Sequence, residues 1–142
     1  MKRILTLLMA TILTVACSEA VKTPPAAPEK KPAALSYSAS ISTEPAEVKP
    51  GESVKLNFSI QDSAGKALSS NNLEVVQEKL IHLLIISDDL SYFDHLHPEQ
   101  AQGGDFTVET KFPAPGKYRL YMDYTPAGAG HQLGRMEVNV EG

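Results

Sequence analysis

The chain has 142 residues, with 13 Lys and Arg against 17 Asp and Glu, and a single cysteine. One cysteine excludes any intrachain disulfide, so the fold must be held by its apolar core. A formal charge of −4 argues against nucleic acid and anionic membrane surfaces as partners and is mildly favourable to cations.

Residues 1–16 read as a targeting segment. Lys2 and Arg3 precede an apolar run, Ile4 to Val15, that is too short to span a bilayer as a stable helix. Small residues lead into Cys17, and Thr14-Val15-Ala16-Cys17 resembles a bacterial lipoprotein signal, in which the cysteine is lipidated and becomes the mature N-terminus. Thr14 stands where leucine is usual, with Leu13 one place further back; the alternative is an ordinary secretory signal that contains a cysteine. Both export the protein. Ser18 after the cysteine fits outer-membrane retention, so the expected location is the bacterial cell envelope, lipid-anchored through Cys17 and facing the periplasm. Cleavage before Cys17 removes two basic residues and leaves 11 Lys and Arg against 17 Asp and Glu, a formal charge of −6.

Residues 17–35 form an expected tether. Ser18 to Ala34 carries four prolines among alanines and charges, without apolar periodicity. Such a segment cannot build a core, and in a polyproline II conformation it reaches on the order of 50 Å. Residues 36–142 then read as one all-β domain. Ser36 to Ser42 is a first strand, and Glu44 to Glu52 a turn-rich connection. Val54, Leu56, Phe58 and Ile60 alternate with polar residues, the period of a half-buried strand, and Asp62 to Lys66 is a hairpin-type turn. Leu80 to Ile86 is apolar on both faces except at His82, as in a central strand. Gly103-Gly104 interrupts the chain, and Phe106, Val108, Thr110 and Phe112 alternate again. Pro115-Gly116 turns it, Tyr118, Leu120, Met122 and Tyr124 share an inward face, and Gly128-Ala129-Gly130 turns it once more before Met136, Val138 and Val140. About seven short strands with turns between them predict an immunoglobulin-like antiparallel β-sandwich. Gly116-Lys117-Tyr118-Arg119-Leu120 has the form of a tyrosine corner, the alternative for Tyr118 being a plain core aromatic.

Three of the four histidines fall between Ile81 and Pro98. Alternation places His95 and His97 on one side of an extended backbone, and Pro98 biases His97 toward that conformation. If Leu80–Ser87 and Tyr92–His97 pair as a hairpin around Asp89-Leu90, paired residue numbers sum to 179 and His82 lies opposite His97. Three imidazoles then converge, a donor set for Cu(II), Zn(II) or Ni(II). The competing geometry has Ser87 capping one helical turn through Asp88, Asp89 and Leu90, and a one-residue slip would send every side chain to the other face. Candidate additional ligands are His131, after the Gly128–Gly130 turn, and the thioethers of Met122 and Met136, although a solvated loop histidine is the better reading of the first and core packing of both methionines. An immunoglobulin strand order would bring His82, Asp123 or Tyr124, and His131 to one end. Asp88, Asp89, Asp94 and Glu99 are oxygen donors or acceptors for imidazole N–H, and more simply solvated turn carboxylates. No nucleophile–base order, second cysteine or phosphate-cradling glycine loop points to an enzyme.

A family likeness rests on Glu78-Lys79-X-X-His82-Leu83, on Ser87-X-Asp89-Leu90-Ser91-Tyr92-Phe93-X-His95-Leu96-His97-Pro98-Glu99, and on Phe106, Phe112-Pro113, Gly116-Lys117-Tyr118 and Asp123-Tyr124-X-Pro126. From about Ser42 to Glu141 these resemble the YtkA-like domain of bacterial exported proteins, the His-X-His-Pro block being the most specific part. The resemblance implies an immunoglobulin-like sandwich and an association with heavy-metal and copper handling in the envelope, on a plan like that of the periplasmic copper-resistance proteins of CopC type. The chain departs from the family where Gln77 stands in place of a frequent His and Ile81 in place of a frequent Met.

Together these readings predict an envelope-anchored lipoprotein, not an enzyme, whose sandwich binds a transition metal, copper ahead of zinc or nickel, through His95, His97 and His82 for buffering or delivery. Its expected partners are the membrane, through the lipid on Cys17, and an envelope protein. The alternative is a non-metal structural or protein-interaction module of the envelope.

Overall fold

The computed structural model describes residues 36–142. The expected signal segment 1–16 and the expected tether 17–35, Cys17 included, lie outside the described residues.

Among the described residues eight strands follow one another: β1 (Tyr37–Glu44), β2 (Ser53–Asp62), β3 (Ile81–Ser87), β4 (Phe93–Leu96), β5 (Glu99–Gln100), β6 (Phe106–Lys111), β7 (Gly116–Tyr124) and β8 (Gln132–Val140). They form two four-stranded antiparallel sheets, ordered β1-β2-β6-β5 and β4-β3-β7-β8. This is the immunoglobulin arrangement, with β4 added at the edge beside β3. The strand beyond the seven expected is the two-residue β5, too short to leave a periodic signal. β1 runs two residues beyond the expected Ser42. The connection after it is more than a turn: Val48 is buried and bridges Val140, and the Glu141 N–H donates to the Val48 carbonyl at 2.8 Å.

The period-2 pattern dictates the layers. In β2, Val54, Leu56, Phe58 and Ile60 are buried, while the residues between them are not. They face Ile81, Leu83 and Ile85 of β3 and Leu120 and Met122 of β7 in one core. Each fully buried Leu, Ile or Phe contributes roughly 1.5–3 kcal/mol of hydrophobic stabilisation. No fully buried side-chain nitrogen or oxygen among the described residues lacks a hydrogen-bond partner. The tyrosine corner is formed: the Tyr118 hydroxyl donates to the Ala114 carbonyl at 2.8 Å and accepts from the Ala114 N–H at 3.3 Å, while its ring is buried against Phe112. Gly134 permits close approach of β8 to β1, since a Cβ there would sit 2.8 Å from Ala39 Cβ.

β3 is interior to its sheet, as its two-sided apolarity requires, and its faces differ in use. Ile81, Leu83, Ile85 and Ser87 point inward; His82, Leu84 and Ile86 form a half-buried row on the outer face. That outer row carries the site.

Candidate metal centre

The turn between β3 and β4 sets everything beyond it. Ser87, itself buried, accepts the Tyr92 N–H on its hydroxyl oxygen at 2.8 Å and donates to Asp89 Oδ1 at 2.7 Å. Asp89 Oδ1 also accepts the Ser91 N–H at 3.0 Å and the Ser91 hydroxyl at 2.8 Å. The hydroxyl of Ser87, then the backbone and side chain of Ser91, hold the Asp89 carboxyl down to about 2. The Leu90 N–H donates to the Ser87 carbonyl at 2.9 Å, and Leu90 takes the left-handed conformation, φ 62°. Of the two geometries open in the sequence, the hairpin is the one formed. The short turn supplies a single 3-residue-spaced bond, and the chain then resumes pairing.

The register is Leu83 with Leu96, Leu84 with His95, Ile85 with Asp94 and Ile86 with Phe93, so residue numbers sum to 179. His95 therefore stands on the outer face beside the row that holds His82. His97, one residue past β4, continues in the same phase, and its neighbour Pro98 is buried. The three rings meet, with centroid separations of 5.5 Å for His82–His95, 5.0 Å for His82–His97 and 4.8 Å for His95–His97. One nitrogen from each lies within 4.8 Å of the others. Metal–nitrogen bonds of ~2.0–2.1 Å in a tetrahedron set nitrogens roughly 3.3 Å apart. His82 Nδ1 and His95 Nε2 already stand at 3.3 Å. The remaining closure is at most about 1.5 Å, within reach of side-chain rotation on an open face.

Hydrogen bonding assigns the tautomers. His82 Nε2 lies 2.9 Å from the Val76 carbonyl oxygen, which can only accept, so Nε2 carries the proton. In the neutral ring Nδ1 is then a bare acceptor, and the His95 Nε2–H donates to it. Partial desolvation, and then repulsion from His95, His82 and Lys79, push the His97 imidazole below its ordinary value. The neutral form so favoured is the form that ligates a metal.

Among the described residues, this trio is the one group of three or more His, Cys, Asp or Glu whose ligand atoms converge. The structure does not bring the other candidates to it. Met122 is fully buried opposite Leu83, and Met136 lies opposite Leu120 against the core, so both thioethers are on the far side of the sheet. Ile81 is likewise wholly inward, so a methionine at that position would also enter the core rather than the site. His131 Nε2 pairs with Asp123 Oδ1 at 2.8 Å. Asp123 is the cross-strand neighbour of His82 in the β3–β7 register, whereas Tyr124 faces inward and is buried. Asp88 binds Arg119 at 2.7 Å, and Asp89 staples the turn. Asp94 accepts the His95 backbone N–H at 2.8 Å and the Tyr92 hydroxyl at 3.2 Å. Glu99 is exposed on β5. Sequence reasoning missed the Val76 carbonyl. Val76-Gln77-Glu78-Lys79 contains no Asn, Gly or Pro to announce a turn, and a backbone acceptor leaves no residue signature.

A protein-family profile for a domain of unknown function, DUF8832, matches residues 35–142. The chain belongs to this family. The likeness of its His-X-His-Pro block to the YtkA-like domain rests on the motifs alone. No curated protein matches this DUF8832 chain. It is similar to the PKD domain of the human VPS10 domain-containing receptor SorCS2, with 20% identity and a TM-score of 0.40, over 94% of this chain and 97% of that one. It is also similar to a beta-glucosidase from Listeria innocua, solved in complex with gluconolactone, with 15% identity and a TM-score of 0.33, over 76% of this chain and 16% of the glucosidase.

Proposed function

We propose that this DUF8832 domain is a transition-metal binding module that holds copper, as Cu(II), through His82, His95 and His97, and buffers it or delivers it to a partner. The observation that carries the reading is the convergence of three imidazole nitrogens within 4.8 Å on the outer face of the sheet. An all-imidazole donor set suits Cu(II), Zn(II) and Ni(II), and among these copper binds most strongly at a given nitrogen site. With both methionines of the domain turned into the core, the site offers no thioether for Cu(I). His95 is exposed and the other two rings half-buried, so a fourth position faces outward, open to water or to a donor from a partner. The YtkA-like motifs and the lipoprotein-type segment ending at Cys17 support a place in the cell envelope. There the Pro-rich tether would let the domain sample the space beside the membrane and an envelope partner.

The test is titration of Cu(II) and Zn(II) into the chain and into a His95→Ala/His97→Ala variant, followed by calorimetry. Saturable one-to-one binding in the parent and its loss in the variant is the expected result. Equal affinities, or no saturable binding in the parent, would remove the metal reading. A second reading, a non-metal docking module, is favoured by the exposure of Phe93 (62%) on β4 and of Leu90 (80%) in the adjoining turn. It predicts partner binding that is indifferent to the two histidine substitutions.

A further inference from the structure

The segment before β3 holds a backbone conformation with no local justification. Val76 and Lys79 form an isolated antiparallel bridge closed by both of its hydrogen bonds, Val76 N–H to Lys79 O at 2.9 Å and Lys79 N–H to Val76 O at 3.1 Å. The two residues between them, Gln77 and Glu78, have φ of 47° and 70°. Positive φ at both central positions is the type I′ hairpin turn, which ordinarily carries Asn-Gly or Asp-Gly because a side chain with a Cβ is strained there. Here two long side chains occupy it. Nothing is buried in return, since Glu74 to Lys79 are all exposed. Its base is nevertheless tied down: the Glu74 N–H donates to the Thr125 carbonyl at 2.8 Å, Glu74 Oε1 accepts the Gly128 N–H at 3.0 Å, and Leu73 bridges Pro126.

Resting on the metal-binding reading, we propose that this strained hairpin is the site's positioning element: it holds the Val76 carbonyl against His82 Nε2–H and so commits His82 to coordinate through Nδ1. A carbonyl oxygen has two lone pairs, and Val76 uses one for the Lys79 N–H and the other for the imidazole at 2.9 Å. That contact fixes both the ring's orientation and its tautomer, and leaves the Nδ1 lone pair aimed at His95, 3.3 Å away. Backbone strain retained on an exposed turn whose Val76 carbonyl meets a candidate ligand is the pattern expected of a functional constraint. A second partner of this kind orients a ligating histidine and raises its basicity, and its loss typically weakens metal affinity 10–100-fold. The donor set is therefore mixed: Nδ1 from His82, and Nε2 from His95 once that ring has shifted to Nδ1 the proton it donates in the metal-free site.

The experiment uses the full chain with 15N-labelled histidine and zinc as a diamagnetic probe. Long-range 15N–1H correlation should show His82 as the Nε2–H tautomer before zinc is added, and a zinc-shifted Nδ1 with a retained Nε2–H afterwards. A His82 bearing its proton on Nδ1, or bound to zinc through Nε2, overturns the proposal. Two loop variants separate positioning from folding. Inserting one glycine between Gln77 and Glu78 breaks the two-residue turn and should mix the His82 tautomers and raise the zinc Kd 10–100-fold. Gln77→Asn/Glu78→Gly keeps the turn with residues that prefer it, and should leave Kd within about twofold while raising the melting temperature. Unchanged tautomer and Kd on insertion overturn the proposal. If zinc fails to bind the parent, the metal reading falls separately, and the His82 tautomer in the two metal-free loop variants still decides whether the hairpin holds the ring.

Discussion

Replacing His97 by alanine removes one of three converging nitrogens and almost nothing else. The ring is half-buried on the outer face of its sheet and belongs to no part of the core, so the metal-free variant should lie within about 0.5 kcal/mol of the parent. Metal is where the two proteins should differ. A ligand that binds only the folded state stabilises it by RT ln(1 + [L]/Kd), about 2.7 kcal/mol at a hundred times Kd. For a domain of roughly 100 residues, at about 4 °C per kcal/mol, that raises the melting temperature by about 10 °C. Loss of a partner outside the coordination sphere already costs 10–100-fold in affinity, so loss of a donor nitrogen should cost at least 100-fold. At the same metal concentration the variant then sits near its own Kd and gains only about 0.4 kcal/mol, a shift under about 2 °C. The assay is differential scanning fluorimetry of both proteins with and without Cu(II) and Zn(II), repeated with Mg(II) as a control for charge. A parent whose melting temperature ignores Cu(II) and Zn(II), or a variant that shifts as far as the parent, refutes the reasoning.

Three further outcomes test the scaffold. Tyr118→Phe deletes both hydrogen bonds of the corner and leaves Ala114 groups unpaired, at a cost of about 1–3 kcal/mol measurable by urea unfolding; an unchanged midpoint would show the corner to be ornamental. Gly134→Ala places a Cβ 2.8 Å from Ala39 Cβ, a rigid atom that must move with its strand, and should destabilise by about 1–3 kcal/mol, relieved by pairing it with Ala39→Gly. The hydrogen bonds that Ser87 and Ser91 donate to its charged form hold the Asp89 carboxyl down to about 2 in the folded turn. The unfolded chain thus binds the proton first, and the turn's contribution is present above about pH 4 and lost as the pH falls toward 2. The stability gap between parent and Asp89→Asn should close over that window, and a gap independent of pH would contradict the assignment.

Much of the architecture was legible in one dimension. Alternation in Val54–Ile60 and in Tyr118–Tyr124 is a local property, because a strand exposes its two faces residue by residue whatever lies beyond it. The same holds for the phase shared by His95 and His97. β5 was not legible, since two residues cannot show a period, and neither was the attachment of Val48 to Val140, which joins distant segments.

The site divides along the same line. Residue types and spacing were enough to nominate three imidazoles, but not to choose between a hairpin and a helical turn after Ser87, because both satisfy the same few residues locally. That choice fell to long-range pairing: β3 must bury Ile81, Leu83 and Ile85 against the opposite sheet, and one register then places His95 beside the row of His82. The inward phase of Met122 and Met136, the diversion of His131 to Asp123, and the Val76 carbonyl at His82 Nε2 were likewise decided only by packing. Local chemistry specifies which groups are able to ligate; the burial of a shared core decides which of them share a point in space.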